Sequence, residues 1–208
     1  MGHIQLSSPV CHIWFFKSIP SPLSLLLDVQ ASRLERVIYY VDYIVTDVDE
    51  EGKKKLLEDL EKELKSKLKE GDAKKNKEAG QGLMTEAHRI KDMLVGLRPG
   101  AVLREDEYFA LSRRFANVFR AGSGAEAIRR ILEKMDVKKE VKKIEAELKE
   151  AKQPLSEIKL QQRLKILRSM ARNGTRPEGL ITTILPVLPP DLRPMVALDG
   201  GRYATSDL

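Results

Sequence analysis

Five of the chain's ten prolines lie between Thr175 and Leu208, and they forbid a long helix there. Proline fixes φ, lacks a backbone N–H and pushes the residue before it toward extended backbone. Pro186, Pro189, Pro190 and Pro194 therefore dictate a stiff, extended approach to Asp199-Gly200-Gly201, a tight turn that needs positive φ. Leu103–Arg172, by contrast, holds only Pro154, and its apolar residues recur at helical spacing. A chain so divided reads as α+β and mainly helical, with short strands and a proline-rich C-terminal loop.

Met1–Asp47 is apolar and punctuated by Pro20 and Pro22. Ile13-Trp14-Phe15-Phe16 reads as a core strand or buried turn. Leu34, Val37, Ile38 and Val41 predict a helix starting at Ser32, whose hydroxyl would cap it, and a strand follows over about Asp42–Thr46. The next stretch is rich in Lys, Glu and Leu. Leu57, Leu60, Leu64 and Leu68 form one stripe, Gly71–Gly82 a polar break, and Met84–Val95 a second helix. Together they predict a helical hairpin packed as a short antiparallel coiled coil. Further on, a helix should open at Leu103, break at Gly122-Ser123-Gly124, and be followed by helices over Ala125–Met135, Val137–Ala151 and Leu155–Arg172. Asn173-Gly174 is a C-cap, and Leu180–Leu185 a strand. The expected segments are residues 1–47, 48–102, 103–174 and 175–208.

Function classes can be narrowed by what these residues do not form. No apolar run reaches the roughly 18–20 residues of a membrane span, and the N-terminus carries no signal-peptide pattern. The single cysteine, Cys11, excludes an internal disulfide and a cysteine-based zinc site and fits a reducing, cytoplasmic setting. His3, His12 and His88 have no carboxylate at metal-ligand spacing, and His12 is expected to pack beside Trp14. There is no Ser/His/Asp pattern and no phosphate-binding glycine loop. The charge is more informative. The net +6 lies in residues 103–208, which hold twenty-one basic and fifteen acidic side chains. From Ile158 to Pro177 there is no acid, so Lys159, Arg163 and Arg172 (with Lys165) either face a phosphate backbone or form an ordinary solvated helix face.

The run Ile184-Leu-Pro-Val-Leu-Pro-Pro-Asp-Leu-Arg-Pro-Met-Val-Ala-Leu-Asp-Gly-Gly-Arg-Tyr-Ala-Thr-Ser-Asp-Leu208 resembles the lid region of the bacterial DNA-directed RNA polymerase β′ family. Gly2–Lys17 resembles the stretch after that family's zinc ribbon. Leu25–Asp28, Leu34–Tyr40, Gly124–Ile128 and Asn173–Glu178 continue the match, which covers about residues 1–47 and 103–208. Residues 48–102 do not match and fall where the family accepts lineage-specific insertions. Tyr203 stands where the family usually has Phe, Gly179 where it has Trp, and Ser123 where it has Met.

The resemblance implies a clamp-base fragment of a nucleotidyltransferase with an inserted helical hairpin and a lid. That lid would lie near the upstream end of the RNA–DNA hybrid and help separate transcript from template. Arg193 and Arg202 would then meet backbone phosphates, Asp199, Gly200 and Gly201 would form the tip, and Tyr203 would offer a ring to a base. The catalytic magnesium and structural zinc of such a subunit would lie outside these residues, as would the helices that hold the sigma factor, so the fragment alone should be inactive. Partners would be the β, α and ω subunits, the rest of β′, sigma, DNA and RNA, with no membrane. The competing reading is a stand-alone basic helical RNA-binding or adaptor protein with a self-contained core.

Overall fold

The computed structural model describes residues 2–69, 89–150 and 153–205. In chain order its elements are β1 (Gly2–Cys11), α1 (Ile13–Phe16), α2 (Pro22–Leu27), α3 (Ala31–Ile38), β2 (Tyr43–Val48), α4 (Glu50–Lys69) and α5 (residues 89–96). They continue with β3 (Val102–Leu103), α6 (Glu105–Phe115), β4 (Phe119–Gly122), α7 (Gly124–Lys134), α8 (Val137–Glu150) and α9 (Pro154–Asn173). The last are β5 (Ile181–Val187), β6 (Met195–Leu198) and β7 (Arg202–Thr205), with single 3₁₀ turns over Pro177–Leu180 and Pro190–Leu192. The expected α+β, mainly helical architecture is present.

A three-stranded antiparallel sheet, ordered β3-β2-β4, separates two cores. Successive strand residues face opposite sides, so adjacent Ile44 and Val45, both fully buried, feed different cores. Ile44 joins Phe16, Leu23, Leu34, Val37, Ile128 and Leu132 from α1, α2, α3 and α7. Val45 joins Leu94, Leu97, Leu103, Leu111, Phe115 and Phe119, with Leu57 and Leu60 of α4 against them. The side chains of Leu64 and Leu68, and the break expected at Gly71–Gly82, lie outside the described residues. Lys53 Nζ fastens α4 to the end of α5 by donating to the carbonyls of Val95 and Leu97 at 3.2 and 2.6 Å. A third core forms where the α8–α9 hairpin docks on α2 and encloses Leu26, Ile144, Leu164 and Leu167.

β1 and β5 pair antiparallel as a separate ribbon, with Ile4 opposite Leu185 and Cys11 opposite Ile181. Pro186 is accommodated because a two-stranded ribbon is all edge. Ile4, Val10, Ile184 and Leu185 are each about half exposed, with Ile4 and Leu185 on one face and Ile184 on the other.

Several local expectations are corrected. Ile13–Phe16 is one helical turn capped by His12 Nδ1, which accepts from the Trp14 amide at 3.2 Å; Phe16 alone is buried, while Trp14 is exposed. His12 and Trp14 do stack edge to face at 5.1 Å. α3 begins at Ala31, with Gln30 at its N-cap and no side-chain cap, so Ser32 lies inside the first turn. Leu103 pairs with Tyr43 in β3, so the helix starts at Glu105, where the Glu107 carboxylate accepts from the Arg104 amide. The expected boundaries at 47/48 and 102/103 fall within β2 and β3. At Gly179 an added Cβ would have no neighbour within 4 Å.

Candidate nucleic-acid interface

The proline-rich terminus is more regular than an extended loop. After a 3₁₀ turn at Pro190–Leu192 it forms a hairpin in which Met195, Val196, Ala197 and Leu198 face Thr205, Ala204, Tyr203 and Arg202 in unbroken register. The strands are joined by Asp199-Gly200-Gly201, with φ of +83° at Gly200 and +76° at Gly201. Such values strain any residue with a Cβ, so the two glycines make this turn possible.

Strand alternation sorts the side chains. Met195, Ala197, Tyr203 and Thr205 share one face; Val196, Leu198, Arg202 and Ala204 share the other. Every residue of both strands is exposed, including Met195 and Tyr203 at 66% each. The hairpin therefore presents an aromatic ring, aliphatic side chains and the Arg202 guanidinium to whatever lies beyond it. Arg193 sits at its base, partly buried.

The structure does not bring the α9 cations to this hairpin. Lys159 Nζ lies 2.7 Å from Asp28 Oδ1. Arg163 is turned inward with only 11% of its side chain exposed. It lies 3.7 Å from Asp28 and 3.5 Å from Glu140, and it donates to the Leu26 carbonyl at 3.3 Å. It therefore joins α2, α8 and α9. Burial alone would raise the Asp28 carboxyl, but the Lys159 hydrogen bond and charge, with Arg163 and Arg98, outweigh it and hold the group below its ordinary value. Arg172, in the last turn of α9, is exposed, as is Lys165. The sequence shows an acid-free run from Ile158 through the rest of α9 but not that its arginines would meet acids from α8. Arg168 does so as well, 2.7 Å from Glu145.

Among the described residues, no group of three or more His, Cys, Asp and Glu side chains is placed to hold a metal ion. Cys11 packs against the first core, where burial pushes its thiol up to about 11. The described helices include none long and apolar enough to cross a membrane.

The sequence family described as RNA polymerase Rpb1, domain 1, matches residues 1–208. The chain belongs to this family. It is 38% identical over 231 residues to the DNA-directed RNA polymerase subunit β′ of Dehalococcoides mccartyi strain 195, covering 100% of the chain and 18% of that relative. The subunits β′ of Thermodesulfovibrio yellowstonii and Methylococcus capsulatus are 38% and 39% identical over 208 residues, covering 100% of the chain and 12% of each relative. The chain thus spans less than a fifth of the length of these Rpb1-family relatives. The resemblance found in the residues is a family membership that also takes in residues 48–102.

Proposed function

We propose that the chain acts as part of the β′ subunit of DNA-directed RNA polymerase in DNA-templated transcription, with the β6–β7 hairpin as its lid. The observation that carries the reading is a hairpin without a single buried residue that exposes Tyr203, Met195 and Arg202 from a glycine-hinged tip. A protein left to itself gains nothing by projecting that much apolar surface into water. A wedge against a nucleic-acid hybrid uses it: Tyr203 and the aliphatic residues pack on bases, while Arg202 and Arg193 meet phosphates. Pro189, Pro190 and Pro194 stiffen the base, so the hairpin resists the strand it displaces.

The half-exposed apolar residues on both faces of the β1–β5 ribbon weigh against a self-contained adaptor and suit burial by the rest of β′ or by the β, α and ω subunits. Sigma, DNA and RNA complete the expected partners, in the cytoplasm. The catalytic magnesium and structural zinc are assigned to other parts of the subunit, which leaves this segment catalytically inactive alone.

The test is a reconstituted polymerase whose β′ subunit carries this segment, with and without Met195–Thr205. Deletion should lengthen the RNA–DNA hybrid, read by nuclease protection of the transcript, while single-nucleotide addition continues. An unchanged hybrid length would refute the lid assignment.

A further inference from the structure

A cavity of about 380 Å³ opens between α6, β4 and α7, and no residue of the β6–β7 hairpin or the β1–β5 ribbon lines it. That volume falls near the lower end of small-molecule sites. Its apolar lining is small or already engaged. Ala116, Ala121 and Ala127 offer a methyl each, the Tyr108 ring is stacked on Tyr43 at 4.0 Å, and Phe119 is buried. The rest of the wall is polar, from Thr46, Ser112, Arg120, Ser123, Glu126 and Arg130.

These polar groups divide into donors and acceptors. Arg120 is exposed, and among the described residues its guanidinium makes no hydrogen bond or ion pair. Asp47, opposite it in the β2–β4 register, is held instead by Lys134 at 2.7 Å. Arg130 gives one nitrogen to Glu126 at 2.6 Å, which leaves further N–H groups of its fork to donate. The Ser123 hydroxyl likewise has no hydrogen bond among the described residues. Thr46 and Ser112 are in the opposite condition. Thr46 Oγ1 donates to the Arg120 carbonyl at 3.1 Å, and Ser112 Oγ donates to the Phe109 carbonyl at 3.3 Å. A hydroxyl has one proton, so both oxygens offer lone pairs alone.

Two guanidiniums against one carboxylate give the lining a positive balance, and a guanidinium fork matches the oxygens of a phosphate. The donors thus suit an anion, while the lone pairs of Thr46 and Ser112 suit hydroxyl groups. A cation would be repelled, an apolar ligand would find little to pack on, and bare phosphate would leave the acceptors unused.

We propose that the cavity between α6, β4 and α7 binds a small phosphate monoester that carries hydroxyl groups. Arg120, Arg130 and Ser123 hold the phosphate, and Ser112 and Thr46 accept from the hydroxyls. The site is separate from the lid and does not depend on that reading.

The experiment titrates ribose 5-phosphate into the isotope-labelled 208-residue chain and follows amide shifts by nuclear magnetic resonance. The amides of Gly122, Ser123 and Ala127 should shift and saturate. Two added hydrogen bonds should make ribose 5-phosphate bind about 10-fold more tightly than inorganic phosphate, and free ribose should leave the amides unmoved. Arg120→Gln removes an exposed, unpaired cation and should weaken binding about 10-fold or more. Arg114→Gln, exposed on α6 and outside the lining, should leave it unchanged. Ser123→Met, which fills the rim without altering charge, should weaken it as well. Circular dichroism checks that all three variants fold. Absence of a saturable shift, or equal losses from Arg120→Gln and Arg114→Gln, would overturn the proposal. So would equal binding of inorganic phosphate and ribose 5-phosphate, which would mark an adventitious ion only. A DNA oligonucleotide that moved the same amides as strongly at equal phosphate would also overturn it, as a general polyanion surface.

Discussion

Arg163→Met separates a structural arginine from a nucleic-acid contact. Methionine keeps most of the aliphatic stem, so the variant removes charge without opening a large cavity. Breaking a fully buried ion pair costs about 3–5 kcal/mol, because the abandoned charge stays desolvated. The cost here is smaller. Asp28 and Glu140 retain 37% and 26% side-chain exposure, and their distances to Arg163 are long at 3.7 and 3.5 Å. Asp28 also keeps Lys159, and the Arg163 Nε has no hydrogen-bond partner to lose. What remains is Glu140 without a partner and the Leu26 carbonyl without a donor, together about 2 kcal/mol. For a chain of this size that lowers the melting temperature by about 4–8 °C. Calorimetry on the purified chain reads the shift, with Arg172→Gln, at an exposed position, as the control expected to stay within about 1 °C. If Arg163→Met left the melting temperature unchanged but reduced the salt slope of DNA binding, the inward role assigned to Arg163 would be wrong.

Gly124 sits at φ +76°, and an added Cβ would lie 2.5 Å from the Tyr40 ring. Gly124→Ala should therefore cost about 1–2 kcal/mol in backbone strain plus the displacement of that ring; urea denaturation of Gly124→Ala/Tyr40→Ala should recover only the second part. Because the Asp28 carboxyl is held below its ordinary 3.8, its ion pairs stabilise the fold above that pH and are lost as acid protonates the folded form. The stability gap between the wild type and Asp28→Asn should accordingly be constant near neutrality and shrink as pH falls below 3.8; a gap that widened would reverse the sign of the argument. Cys11, with its thiol pushed from 9.0 to about 11, should react with a disulfide reagent at pH 8 about 10-fold more slowly than an unperturbed thiol, the lower thiolate fraction being partly offset by higher nucleophilicity.

What could be read from the sequence was what neighbouring residues decide among themselves. Gly174 ends α9 at φ +66° because only a residue without Cβ turns left there cheaply, and the Asn173-Gly174 pair announces it. The turn at Gly200-Gly201 was legible for the same reason. β4 was not. Phe119-Arg-Ala-Gly122 has no strand-like alternation, and it is extended because β2 pairs with it from more than seventy positions upstream. Leu103 is similar: the acids that follow it announce a helix start, but pairing with Tyr43 makes Leu103 itself a strand residue. At the candidate site, sequence supplied the glycine tip and the cations of α9 but not their directions. Which cations remain outward depends on the acids of a facing helix, and that pairing exists only once the hairpin has closed.

The ribbon of β1 and β5 has a consequence for synthesis. Cys11 and Ile181, which face each other across it, are 170 positions apart in the chain. At about 5–20 residues per second a ribosome takes roughly 10–35 seconds to deliver the partner that β1 requires. Throughout that interval Gly2–Cys11 is a bare strand edge able to zip onto a neighbouring nascent chain. A ribosome that stalls before residue 181 leaves that edge open, so products truncated there should aggregate through Gly2–Cys11.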